Sequence, residues 1–378
     1  MGTLLTAAPS PVDGDWSGVS VLVPQLPSQV RWSQRSGATL TALEKASRAL
    51  GRLEGAYRDV AGSNAGIFAS LSIEAQASMA MSGEPARHAA VRDAFVREGE
   101  LDPDGGRAVR TAALMRSYAG LVPGYGVPGW SASSHYASIL RGWPSPLDFE
   151  PSVVPDRFTD EWPRDTAAWR ESSTEPALVQ AALAMMSIAA VVPGGVDVGI
   201  VARQIFMRVL EDSRGVDWWS APPISWGFLR HPESWDVVSS ALAVEGEPDP
   251  AAVDDALRLI FVATGHAAIT TAYFVESAGR TAFQEAGGRW KGDYTRAQRR
   301  ILDACVGLPG VNAVQAARFG GLTPRGVRRC LKALVDGGAL QQRRTRSGTD
   351  YWVCRRGPKF WPEAVYWYSL PGEPETYE

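Results

Sequence analysis

Along most of the chain, apolar residues recur at three- and four-residue steps rather than at every second position. Residues 40 to 57 show this most clearly, with Leu40, Leu43, Leu50, Leu53 and Tyr57 at the spacing that lines one side of an α-helix. The same reading predicts helices around 67–82, 89–98, 106–119, 164–171, 176–191, 200–212, 234–242, 250–264 and 267–286. An extended piece, Val21 to Pro27, precedes them, and strand-like alternation is otherwise scarce. Pro and Gly clusters at 121–130, 143–156 and 221–223 mark loops. The pattern therefore predicts a helical body, with no convincing internal repeat.

From about residue 290 the signals change. Thr295 to Val306 reads as a helix with Ile301, Leu302 and Cys305 on one side. Asn312, with Gln315 three residues on, has the form of a capping box opening a short second helix. Gly320-Gly321 ends that helix, and Thr323 with Pro324 at the first helical position opens a third. Val327, Leu331 and Leu334 recur at helical spacing and are expected to pack inward. Arg325, Arg328, Arg329 and Lys332 fall largely on the other side. A strand near 339–341, a turn over 346–350 and a strand at 351–353 follow. This order resembles a winged helix, a small α+β domain. Thr323, Arg325, Arg328, Arg329 and Lys332 would then face double-stranded DNA, with phosphates and guanine edges in reach of the basic side chains. Arg343, Arg344 and Arg346 would add contacts from the wing. The same fold also serves protein contacts, in which case the arginines are a solvated face.

Charge strengthens this picture. The chain has a net charge of −3, yet residues 294 to 360 hold fourteen Lys and Arg against three acids. That segment is at +11 and the remainder at −14, so one end suits a polyanion and the rest does not. All three cysteines, Cys305, Cys330 and Cys354, lie in the basic segment without a metal-ligand spacing. Such sparse, odd cysteine usage fits a reducing cytoplasm. The most apolar window, Ala181 to Pro193, is too short to span a bilayer, so no membrane association is expected. Four expected regions follow: an extended N-terminal segment (1–36), a helical domain (37–287), the winged helix (288–360) and an aromatic tail (361–378).

Within the helical domain, several runs carry a family resemblance. They are Val23-Pro24-Gln25-Leu26-Pro27, the helix from Leu43 to Gly55, and Glu74-Ala75-Gln76-Ala77-Ser78-Met79-Ala80-Met81-Ser82-Gly83-Glu84. Pro176 to Arg203 and Ser225 to Trp235 follow in order. Together they resemble Fic-domain proteins, many of which also end in a winged helix. The resemblance implies a mainly helical body and an ancestry in transfer of AMP from ATP to a protein hydroxyl. In that family a His-Pro-Phe-x-Asp/Glu-Gly-Asn-Gly-Arg-x-x-Arg motif supplies the base, the metal ligand and the phosphate clamps.

Here the matching segment is Val192-Pro193-Gly194-Gly195-Val196-Asp197-Val198-Gly199-Ile200-Val201-Ala202-Arg203. Val192 stands at the base, Val196 at the metal ligand, Val198 at the Asn and Ile200 at the first Arg. Only Pro193, Gly199 and Arg203 keep their types, leaving Gly199 and Arg203 as an anion-binding relic. A missing general base alone costs on the order of 10²- to 10⁴-fold. The inhibitory motif is degenerate too: Ser78 and Gly83 remain, but Ser82 replaces the glutamate that restrains active relatives. The histidines at 88, 135, 231 and 266 show no metal-ligand spacing, and neither metal nor cofactor is expected.

Three readings remain open from the sequence. One is a catalytically degenerate Fic-like protein that binds DNA or regulates through its winged helix. The second is a Fic-type nucleotidyltransferase with an unorthodox base, for which His135 and His231 are candidates. The third is a protein-interaction module, with another protein or a second copy of the chain as partner.

Overall fold

Helical periodicity gives helices over most of the described residues. The computed structural model describes residues 3–6, 20–23, 27–30, 32–59, 64–83, 85–97, 106–120, 156–190, 196–214, 222–244, 246–287 and 294–355. The helices are α1 (Gly37–Asp59), α2 (Ala65–Met81), α3 (His88–Val96), α4 (Gly106–Gly120), α5 (Asp156–Ser172), α6 (Ala177–Ala189) and α7 (Val196–Arg214). They continue with α8 (Ile224–Phe228), α9 (Glu233–Ser240), α10 (Pro250–Gly287), α11 (Arg296–Gly307), α12 (Ala313–Gly320) and α13 (Pro324–Asp336). Two antiparallel hairpins complete the inventory: β1 (Thr3–Thr6) with β2 (Ser20–Val23), and β3 (Leu340–Arg344) with β4 (Asp350–Cys354). The described residues are thus mainly α.

Four features depart from the sequence expectation. The extended piece near residue 21 is a paired strand, with Thr3 opposite Val23, which scarce alternation does not announce. Helix α5 begins at Asp156, ahead of the expected start at 164, and runs through Pro163. The short α8 carries too few residues for periodicity to register. The expected helices at 250–264 and 267–286 are one helix, α10. Gly265 does not break it; a Cβ there would lie 3.7 Å from the Ala46 Cα, so the glycine serves close packing on α1. On α1 itself, Leu40 is exposed, and Ala42, Ala46, Ala49, Leu50, Leu53 and Ala56 form the buried face.

The chain divides into two compact units. The first comprises residues 1–50, 128–217 and 230–267. In it α6 and α7 pack together, and α6 is buried from Leu178 to Ala189, as a helix apolar on all sides must be. Asp254 ties the starts of α1 and α10 together: it accepts from the Trp32 indole N–H (2.9 Å) and from Thr39 Oγ1 (2.8 Å). Trp32 also meets Phe261 edge-on at 6.1 Å between centroids.

The second unit comprises residues 51–127, 218–229 and 268–378. Its centre is α2, buried from Ala65 to Met79 and packed by α4, α8 and α11. A wholly buried Glu74 accepts from Ser78 Oγ (3.1 Å), the Ser225 amide (2.9 Å) and Ser225 Oγ (2.5 Å), which fixes α8 on α2. Helix α11 crosses α2 at Gly307, where a Cβ would lie 2.3 Å from the Ala65 carbonyl oxygen and 2.5 Å from the Phe68 Cβ.

Candidate nucleic-acid interface

Residues 294–355 form three short helices and a hairpin, each delimited by local chemistry. Thr295 caps α11: its Oγ1 accepts from the Gln298 amide (3.3 Å), and Gln298 Oε1 accepts from the Thr295 amide (2.9 Å). Ile301, Leu302 and Cys305 are buried along it. Asn312 and Gln315 make the same reciprocal box at α12, at 2.8 and 3.0 Å. Gly321, at φ 62°, ends α12 in the left-handed region, and the Leu322 amide returns to the Ala317 carbonyl (2.9 Å). Thr323 then caps α13 by accepting from the Gly326 amide (3.2 Å).

The capping residues of α12 also reach beyond the module. Asn312 Nδ2 donates to the Val96 carbonyl (2.7 Å) and Gln315 Nε2 to the Phe95 carbonyl (2.8 Å). Those are end carbonyls of α3, which have no partner within their own helix. The Arg92 guanidinium of α3 lies over the Tyr351 ring of β4 at 5.5 Å. Val311 exchanges both backbone hydrogen bonds with Trp352, at 3.0 and 2.9 Å, and so adds a third short pairing to the β3–β4 hairpin. Neither feature was read from the sequence. A single paired residue has no periodicity, and the α3 carbonyls are more than two hundred residues away.

Helix α13 separates its two faces sharply. Val327, Leu331 and Leu334 are at most 2% exposed, whereas Arg325, Arg328, Arg329 and Lys332 are all exposed. Two acids here reach solvent, Asp336 exposed and Asp350 half-buried, and each already meets one cation: Asp336 pairs with Lys332 (2.8 Å) and Asp350 with Arg344 (2.9 Å). The third acid, Asp303, is buried and accepts from the Asn64 amide (3.0 Å). Among the described residues Arg325, Arg328, Arg329 and Arg346 make no ion pair. Arg343 donates to Gln341 Oε1 (3.1 Å). The turn between β3 and β4 is closed by the Thr345 amide on the Thr349 carbonyl (2.9 Å), with Gly348 at φ 89°. Thr323 keeps its hydroxyl proton for a further acceptor, since its cap uses only a lone pair. Burial, with Cys354 and Cys330 near, pushes the Cys305 thiol well up, and burial raises Cys330 to about 11. Both thiols therefore stay protonated at neutral pH, which makes them poor nucleophiles.

Among the described residues, those matched to the Fic motif form no comparable surface. Val192 lies outside the described residues, as do the side chains of Val196 and Val198, although both belong to α7. Ile200 is buried. Arg203 is 1% exposed, with its guanidinium over the Trp235 ring at 4.7 Å. Gly199 makes room for that stack: a Cβ there would lie 3.1 Å from Arg203 Nη1 and 3.3 Å from Trp235 Cζ2. Ser82 and Gly83 close the end of α2, with Ser82 Oγ donating to the Ser78 carbonyl (2.9 Å) and Gly83 at φ 73°. His231 is exposed beside Glu233 (3.4 Å), and His135 lies outside the described residues. Among the described residues no group of His, Cys, Asp or Glu is arranged to hold a metal ion. No protein-family model matches the sequence, and no curated protein is found similar to it.

Proposed function

We propose that residues 294–355 are a winged helix through which the chain binds duplex DNA, acting as a cytoplasmic DNA-binding regulator. One observation carries this reading: the exposed face of α13 holds four cations, three of them without an acidic partner among the described residues, directly behind a buried apolar seam. A solvated face with no anionic partner would more commonly interleave both signs along one helix. The hairpin with the Val311 pairing adds the strands a winged helix needs, and it carries the exposed Arg343, Arg344 and Arg346. Electrophoretic titration of the full chain with genomic duplex fragments tests this. Retarded complexes that weaken with Arg328→Ala or Arg325→Ala support it. A chain that retards no duplex while retaining its fold moves the basic face to a protein partner or a second copy.

We further propose that the body is a Fic-like domain that has lost its chemistry. The order of α1, α2, the α6–α7 pair and α8–α9 follows that resemblance, and Arg203 is closed against Trp235 rather than presented to a phosphate. A Fic-type transferase with another base is the rival. Incubation with labelled ATP, Mg²⁺ and candidate protein acceptors distinguishes the two: the account expects no label above a heat-killed control. Label that a His231 substitution abolishes would establish the transferase.

A further inference from the structure

Resting on the DNA-binding reading, the geometry of α13 assigns different tasks to its cations. With about 100° of turn per residue, Arg325 and Arg329 lie within roughly 30° of the line opposite the buried seam of Val327, Leu331 and Leu334. Arg328 stands roughly 90° to one side of that line, and Lys332 leans the same way. The other flank carries Gly326 and Ala333, small residues that let a groove wall approach. Asp336, paired with Lys332, lies near the central line at the C-terminal end, so the cations free of an acid lie in the N-terminal half among the described residues.

A side chain pointing straight away from the seam meets the groove floor, whereas one on the flank meets the groove wall. Arginine's planar fork matches the O6 and N7 acceptors of guanine, which phosphate contact does not require. Arg325 and Arg329 are one turn apart, about 6 Å of helix rise, and two base steps cover about 6.8 Å. We infer that Arg325 and Arg329 are the base-reading pair, that the preferred duplex presents two guanines two base pairs apart, and that Arg328 and Lys332 hold phosphates of one strand.

Selection of the full chain on random duplexes, followed by fluorescence anisotropy on the enriched site, tests this. The enriched site is expected to hold the two guanines at that spacing, and replacing either by adenine weakens binding about tenfold or more. Arg325→Ala removes the preference at one guanine and Arg329→Ala at the other. Arg328→Ala instead weakens every duplex about equally. All three positions are exposed, so circular dichroism is expected to show an unchanged fold. Salt-sensitive binding with no guanine preference, or a preference that only Arg328→Ala relaxes, overturns the assignment and leaves the DNA-binding reading standing. Absence of binding to any duplex overturns both.

Discussion

At the start of α3, burial pushes the His88 imidazole from 6.5 down to about 4, and the charge of Arg92 adds to the shift. The unfolded chain takes up a proton at His88 as pH falls through 6.5, and the folded chain does so only near 4. Stability is therefore lost progressively across that window. His266 is lowered as well, by burial first and then by Arg230 and His231, and it acts in the same direction. Asp254 behaves differently. Burial raises it, but hydrogen bonds from Trp32, Ser36 and Thr39 outweigh that and leave it lowered. The stability it contributes is present above the ordinary carboxylate range and is lost only as pH falls below it. Urea midpoints at pH 7, 6 and 5 should fall for the wild type and fall less for His88→Gln. Equal losses in both proteins would show that His88 is not the titrating group. The burial of Arg203 beneath Trp235 belongs to this scale too. The sequence shows an arginine at helical spacing but not the aromatic ring thirty-two residues on that covers it.

Helix ends were the most legible elements, because their signals are local. Asn312 with Gln315, Gly321, and Thr323 with Pro324 each lie within four residues of the groups they satisfy, and the sequence alone places them. The packing of those elements was not legible. Gly307 is an ordinary C-terminal glycine in the sequence, but in the structure it is where α11 and α2 touch. Gly307→Ala should force backbone apart and cost about 1–3 kcal/mol or more, read from the shift in denaturation midpoint at constant slope. A midpoint unchanged within error would mean the crossing is looser than described. Asn312→Ala removes a cap and leaves the Val96 carbonyl without that donor, so a loss of about 1–3 kcal/mol is expected. Gln315→Ala should behave similarly but not additively, since the two side chains bond each other's backbone.

Across the whole chain, charge is segregated more sharply than composition suggests. Residues 294–355 of the basic segment are capped and packed, and they belong to the same compact unit as α2, α3 and α4. Among the described residues one helical stretch, Pro250–Ala278, is long and apolar enough to cross a membrane. It carries the buried, hydrogen-bonded Asp254 and is more than half buried, features also found in core helices. The mainly helical class was readable from periodicity because helices repeat locally. The grouping of residues 51–127 with 268–378 depends on contacts that no local pattern encodes.

The most direct test of DNA recognition is the salt dependence of binding by the full chain to a single duplex. If Arg328, Lys332 and the wing arginines neutralise about five phosphates, log Kobs should fall with log salt at a slope of roughly −4.5. Arg328→Ala should reduce that slope by about one unit while the fold is unchanged. A slope near zero, or binding that Arg328→Ala leaves untouched, would contradict the account.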